Sequence, residues 1–137
     1  MPKDLALFQA MYKKMDWQTE RQKVLAENIA NADTTAKEPG GEPYRRQLIT
    51  FKNVLNRKTD MKEVRVDDIR TDKSDFRIKY DPSHPAADDE GYVKLPNVNS
   101  LIEMMDMREA QRSYEANLGI IDMTRSMLLR TIDLIRS

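Results

Sequence analysis

The chain's 137 residues are the size of one domain, and its 23 Lys and Arg balance 23 Asp and Glu, which excludes the basic excess that nucleic-acid binders use to replace phosphate counterions. Cysteine is absent and histidine occurs once, so disulfides, thiolate chemistry and Cys-based zinc sites are excluded and little room is left for His-dependent catalysis. With 39% hydrophobic against 34% charged residues, a lean core sits inside a charged coat, and burial is expected to be completed against partners.

From Lys3 to Asn31 the chain holds neither Pro nor Gly, and the spacing predicts one long helix. Its seam alternates steps of three and four residues: Leu5, Phe8, Tyr12, Met15, Thr19, Gln22, Ala26 and Ile29, widened by Met11 and Leu25. That is the heptad pattern, which wants a partner helix, and polar Thr19 and Gln22 at its waist would fix register. A helix of roughly 29 residues runs about 43 Å. Asn31-Ala32-Asp33-Thr34 supplies residues that favour caps and turns, so the helix is expected to end there.

The middle, residues 32–97, holds three of the four glycines and five of the six prolines. Leu48, Thr50 and Lys52 alternate with Gln47, Ile49 and Phe51, and Val64 and Val66 alternate with charges. Phe76, Ile78 and Tyr80 alternate with Arg77 and Lys79, which predicts one buried and one wet face. Breakers at Pro39-Gly40-Gly41, Asp81-Pro82 and Glu90-Gly91 separate the runs. A small β-hairpin module, of modest stability by itself, is expected between the helices.

Residues 98–137 read as a second long helix, interrupted only by Gly119. Met104, Met107, Gln111, Tyr114, Leu118, Ile121, Arg125, Leu128, Ile132 and Ile135 follow the same alternation, with Ile120, Met123, Met127 and Leu134 in a row beside them. The stripe is wider than one partner helix needs. Roughly 39 residues would span nearly 60 Å, about twice the diameter of a compact chain of this length. The expected class is α+β: terminal helices (1–31 and 98–137) packing as a coiled coil into one axial core, with a β-rich middle module (32–97).

Chemistry is scarce. His84, with Asp88, Asp89 and Glu90 downstream, has no second His and no helical ligand spacing, so a polar loop outweighs a metal site. Gly40-Gly41 lacks the surrounding pattern of a phosphate loop. No run approaches the roughly 18 uncharged apolar residues of a membrane span. No apolar signal region opens the chain, so export, if any, is expected without a cleaved signal. An adaptor or chaperone with a Met-rich groove, and a small enzyme using Asp67, Asp68 or the acidic loop, are the competing readings.

The order of motifs resembles a known family. Leu25-Ala26-Glu27-Asn28-Ile29-Ala30-Asn31-Ala32-Asp33-Thr34 is similar to the end of the N-terminal helix in bacterial flagellar rod and hook proteins. Pro43-Tyr44-Arg45-Arg46, Tyr80-Asp81-Pro82-Ser83-His84-Pro85-Ala86-Ala87-Asp88 and Gly91-Tyr92-Val93-Lys94-Leu95-Pro96-Asn97-Val98-Asn99 resemble one of the small proximal-rod families, as does Ala110-Gln111-Arg112-Ser113-Tyr114-Glu115-Ala116-Asn117-Leu118. The other small rod family is the runner-up.

The resemblance implies a structural, non-catalytic subunit of the basal body without cofactor or metal. Its helices would pack in a tube around an export channel, and it would transmit torque across the periplasm. Implied partners are copies of itself, other rod proteins, the rotor ring and the export apparatus. No nucleic acid, small-molecule substrate or membrane embedding is expected. The implied subunit-interface residues are Leu5, Phe8, Tyr12, Met15, Gln22, Leu25, Ile29, Met104, Met107, Gln111, Tyr114, Leu118, Ile121, Leu128, Ile132 and Ile135.

Overall fold

A computed structural model describes residues 2–57 and 60–136, leaving aside the side chains of residues 2–7, 56, 61, 63 and 64. The elements run α1 (Pro2–Ala30), β1 (Gln47–Asn56), β2 (Met61–Thr71), β3 (Arg77–Tyr80), β4 (Tyr92–Leu95) and α2 (Ser100–Arg136), an α+β order. Pro2 takes the first helical position of α1, where a missing N–H costs nothing. The helix stops as Asn31 folds back: its backbone N–H and its Nδ2 both donate to the Glu27 carbonyl, at 3.0 and 2.9 Å. Asn99 starts α2, its Oδ1 accepting from the N–H groups of Leu101 (3.1 Å) and Ile102 (3.4 Å).

The two helices pack antiparallel along their length. Asn28 meets Glu103 at one end, and Phe8 lies with Thr124, Leu128 and Thr131 around a gap of about 220 Å³ at the other. Burial in α1 follows Phe8, Met11, Met15, Gln18, Gln22, Leu25 and Ile29. In α2 it follows Glu103, Met107, Ala110, Tyr114, Asn117, Ile121, Thr124 and Leu128. Every other position of each row lies one residue before the position expected from apolar spacing. Both helices are thereby turned by about 50°, half the angle between successive residues.

In α2 the turn exchanges Met104, Gln111, Leu118 and Arg125 for Glu103, Ala110, Asn117 and Thr124. Half of the seam against α1 is therefore small or polar. The Thr124 and Thr131 hydroxyls donate back to the carbonyls of Ile120 (2.8 Å) and Met127 (3.0 Å), which satisfies them within the helix.

The middle is β-rich, as expected, and is built as two separate antiparallel ribbons, β1–β2 and β3–β4. Pairing shifts from Thr50↔Asp68 to Phe51↔Val66, so Asp67 is an extra residue that bends the first ribbon and breaks its alternation. The expected buried face of β3 is corrected: all four of its residues are exposed, because among the described residues no layer covers the side carrying Ile78 and Tyr80. Val93 of β4, at 1% exposure, faces inward instead. Strand β4 itself was not expected; Gly91 and Pro96 cut it to four residues.

Ile121 is closed off at 1% exposure while Leu118 stands 42% exposed. In the isolated chain Ile121→Ala is expected to cost about 2–5 kcal/mol, and Leu118→Ala to stay within about 0.5 kcal/mol. Denaturant unfolding followed by circular dichroism reads both.

Candidate assembly interface

The end of α1, the base of the β1–β2 ribbon and the start of α2 meet in a polar junction. Asn28 is fully buried and its amide acts as a surrogate strand residue. Nδ2 donates to the Gln47 carbonyl (2.9 Å), while Oδ1 accepts from the Gln47 N–H (2.9 Å) and from the Tyr44 hydroxyl (2.7 Å). Nδ2 also reaches Glu103 Oε2 at 3.5 Å. Glu103, 1% exposed, accepts through its other oxygen from Arg46 Nε, a charge-assisted bond. Arg46 reaches on to Asp72 at 3.3 Å.

Backbone bonds tighten the knot. The Asp72 N–H donates to the Arg46 carbonyl (2.7 Å), and the Arg46 N–H donates to Asn97 Oδ1 (2.7 Å). Asn97 Nδ2 donates in turn to the carbonyls of Asp72 (3.0 Å) and Ser74 (3.2 Å). Arg45 lies 4.1 Å over the Phe76 ring and donates to the Asp72 carbonyl at 2.9 Å. Five segments distant in sequence are fixed by side chains that only this geometry satisfies.

The ionisations follow. The Ser74 backbone N–H holds the Asp72 carboxyl below its ordinary value, with the Ser74 hydroxyl and Arg46 adding to it against burial. Burial, then the charges of Glu27 and Glu103, pushes the Tyr44 phenol up. For Arg46 burial pulls down, but Glu103 and then Asp72 outweigh it, so the guanidinium is held charged.

The junction fixes how both helices are rotated, and hence what faces outward. Around α2, Met104, Met105, Leu118, Ile120, Met123, Met127, Leu129, Leu134 and Ile135 are exposed. Among the residues expected at an interface, Met15, Leu25 and Ile121 are buried inside the chain's own helix pair. Phe8, Gln22, Ile29, Met107, Tyr114, Leu128 and Ile132 are half-buried along it. Tyr12, Met104, Gln111, Leu118 and Ile135 point to the outside, and Leu5 lies outside the described side chains.

His84 Nδ1 accepts the Ala86 N–H at 3.0 Å, and Asp88 Oδ1 accepts the N–H groups of Glu90 and Tyr92, both at 2.9 Å. These residues close the β3–β4 turn. Among the described residues no group of three or more His, Cys, Asp or Glu could hold a metal, and no helix is long and apolar enough to cross a membrane. Asn28, Tyr44, Arg46 and Asn97 fall within the sequence motifs, whereas Asp72 and Glu103 lie outside them. The signal available was Asn28, a polar residue falling beside an apolar seam.

Residues 89–134 match the family described as flagellar basal body rod FlgEFG protein, C-terminal. Over longer stretches the chain is similar to flagellar basal-body rod proteins FlgC. That of Agrobacterium fabrum is 48% identical over 123 residues, covering 90% of this chain and 88% of the relative. That of Bacillus subtilis is 39% identical over 132 residues (85% and 88%), and that of Yersinia enterocolitica is 35% identical over 130 (95% and 96%). The chain belongs to the FlgC family of flagellar basal-body rod proteins. It is a structural subunit of the rod.

Replacing Asn28 with Ala leaves the Gln47 peptide groups and the Tyr44 hydroxyl without their partner. A loss of at least about 1–3 kcal/mol in unfolding free energy is expected, measured by urea denaturation.

Because Asp72's folded pKa is depressed, its contribution is present above its unfolded pKa of about 3.9 and is lost as pH falls toward the folded value. Because Tyr44's is raised, its contribution is present below about 10 and is lost as pH rises through the folded value. A plot of stability against pH is expected to keep its alkaline arm but flatten its acid arm in Asp72→Asn, and to do the reverse in Tyr44→Phe.

Proposed function

We propose that this rod subunit assembles through the outward faces of its terminal helices, packing against copies of itself and other rod proteins into a tubular shaft. The shaft transmits torque and encloses the export channel. The observation that carries this is the division of α2's circumference. The chain's own α1 takes the row of Glu103, Met107, Ala110, Tyr114, Asn117, Ile121, Thr124 and Leu128, while Leu118, Ile120, Met123 and Met127 outside it stay exposed.

Surface area supports the same reading. The chain exposes 10201 Å², whereas a compact monomer of its mass exposes about 7,400 Å². The excess is more than three times the roughly 800 Å² that one partner covers in a standard interface. Apolar rows on both flanks of the seam fit neighbours on two sides. A contact between unlike surfaces that does not close on itself generates a helical array. Stiffness then comes from many small packing contacts added along each helix.

The interface includes Tyr12, Met104, Gln111, Leu118 and Ile135, with the half-buried Phe8, Met107, Tyr114, Leu128 and Ile132 at its margins. Within this reading the subunit is non-catalytic. It is delivered by the flagellar export apparatus, and it stands in the part of the rod that crosses the periplasm, in reach of the rotor ring.

Leu118→Asp tests it. An aspartate at this exposed position leaves the isolated chain's helix content unchanged, but at an interface it is a buried, unpaired charge. Cells carrying it are expected to synthesise the chain, lack it in isolated basal bodies and fail to swim. Normal swimming with the variant present in basal bodies would sink the proposal.

A further inference from the structure

Between α1 and the first ribbon lies a hollow of about 140 Å³, lined by Lys14, Trp17, Gln18, Arg21 and Phe51. A space of about that size holds a benzene-sized group, which is to say one large apolar side chain. Its aromatic walls come from two elements, Trp17 from α1 and Phe51 from β1. Strand pairing sets Phe51 opposite Val66, with Ile49 and Ile69 as the next pair on that face and Leu55 and Lys62 further along it. Phe51 stays 40% exposed, so the chain itself leaves the hollow open.

The charges around it are of one sign. Lys14 and Arg21 stand one turn to either side of Trp17 and Gln18, about 10 Å apart along the axis. Their neighbours one turn away on the helix are Ala10, Met11, Trp17, Gln18, Val24 and Leu25, none of them acidic. Asp16 and Glu20, the acids of this stretch, lie at least about 100° round the helix from either cation and have Lys13 and Lys23 one turn away. On the ribbon, Asp67 pairs with Lys52 (3.4 Å) and Asp68 with Arg70 (3.1 Å). Among the described residues neither the Lys14 nor the Arg21 side chain has an ion-pair or hydrogen-bond partner. Arg21 is half-buried all the same, and a guanidinium drawn partly out of water without a partner is a standing site for an anion.

We propose that this hollow is the docking site for an acidic segment of a partner protein. One large apolar side chain of that segment seats between Trp17 and Phe51, and carboxylates on either side of it meet Lys14 and Arg21. The planar guanidinium suits the pairing, since its fork grips a carboxylate through two parallel bonds. Tryptophan and arginine side by side are also the residue types that most often dominate binding energy in protein interfaces. The hollow lies on the ribbon side of α1 and does not involve the exposed rows of α2, so this site and the rod reading are tested separately.

Trp17 is the chain's single tryptophan, so the fluorescence of the full chain reports this hollow directly. With the peptide acetyl-Glu-Glu-Leu-Glu-Glu-amide, a saturable blue shift of the emission is expected. Binding is expected to weaken about tenfold or more when the peptide's glutamates become glutamines, and likewise in Lys14→Gln and Arg21→Gln, the factor that one lost charge-assisted bond is worth. Lys14 is exposed, so its variant carries the test even where Arg21→Gln fails to fold.

Emission unchanged by the acidic peptide, or an equal response to its glutamine counterpart, would overturn the proposal. Two further outcomes would do the same. A shift on concentrating the chain alone, in place of the peptide response, would seat a second copy in the hollow. A shift with phosphatidylglycerol vesicles but not with the peptide would give the cations to a membrane surface.

Discussion

The buried meeting of Asn28 with Glu103 governs this molecule. Neither side chain can sit in the protein interior unless its hydrogen-bonding capacity is filled, and each is filled by groups from other segments: Tyr44 and Gln47 for the first, Arg46 for the second. The ends of the two helices are therefore fixed in rotation as well as position. Starting from Glu103 and stepping four and three residues at a time leads through Met107, Ala110, Tyr114, Asn117, Ile121, Thr124 and Leu128, which is the row that α2 turns toward α1.

Apolar burial alone does not select that rotation. Turning both helices by half a residue would bring Met104 and Leu118 inward, but also Gln111 and Arg125, and in α1 it would trade Met11 and Leu25 for Tyr12 and Ala26. The polar junction decides the matter, because unmaking it would strand several buried polar groups at once, each at a cost of about 1–3 kcal/mol. A chain folded this way buries Ile121 and Ala110 against α1 and leaves Leu118, Ile120, Met123 and Met127 exposed. The side of α2 that stabilises the single chain and the side it presents to its surroundings are thus different halves of one helix.

The terminal helices were legible because long runs without Pro or Gly at three-and-four spacing leave no other regular structure, and the family was legible in its motifs. The rotation was not, since spacing cannot reveal that a polar side chain at position 28 will be matched by one 75 residues later. The ribbons were half legible. Period-two alternation in Phe76-Arg77-Ile78-Lys79-Tyr80 identifies two faces but does not say which is covered, and the aromatic face turns out to be the open one. Strand β4 is not legible because Tyr92-Val93-Lys94-Leu95 does not alternate apolar with polar residues. Likewise the change of phase at Asp67 cannot be foreseen from residue types that suit either register.

The antiparallel layout brings the first residues of α1 alongside the last residues of α2, so nearly every contact in the helix pair joins distant parts of the chain. Closing such large loops carries an entropic cost before any contact compensates it. Because α1 lies at one end of the order of elements and α2 at the other, α1 cannot find its mate until the intervening ribbons are in place or looped out. Until α2 is present, α1 has no partner helix, so the second helix is the element that completes the pair.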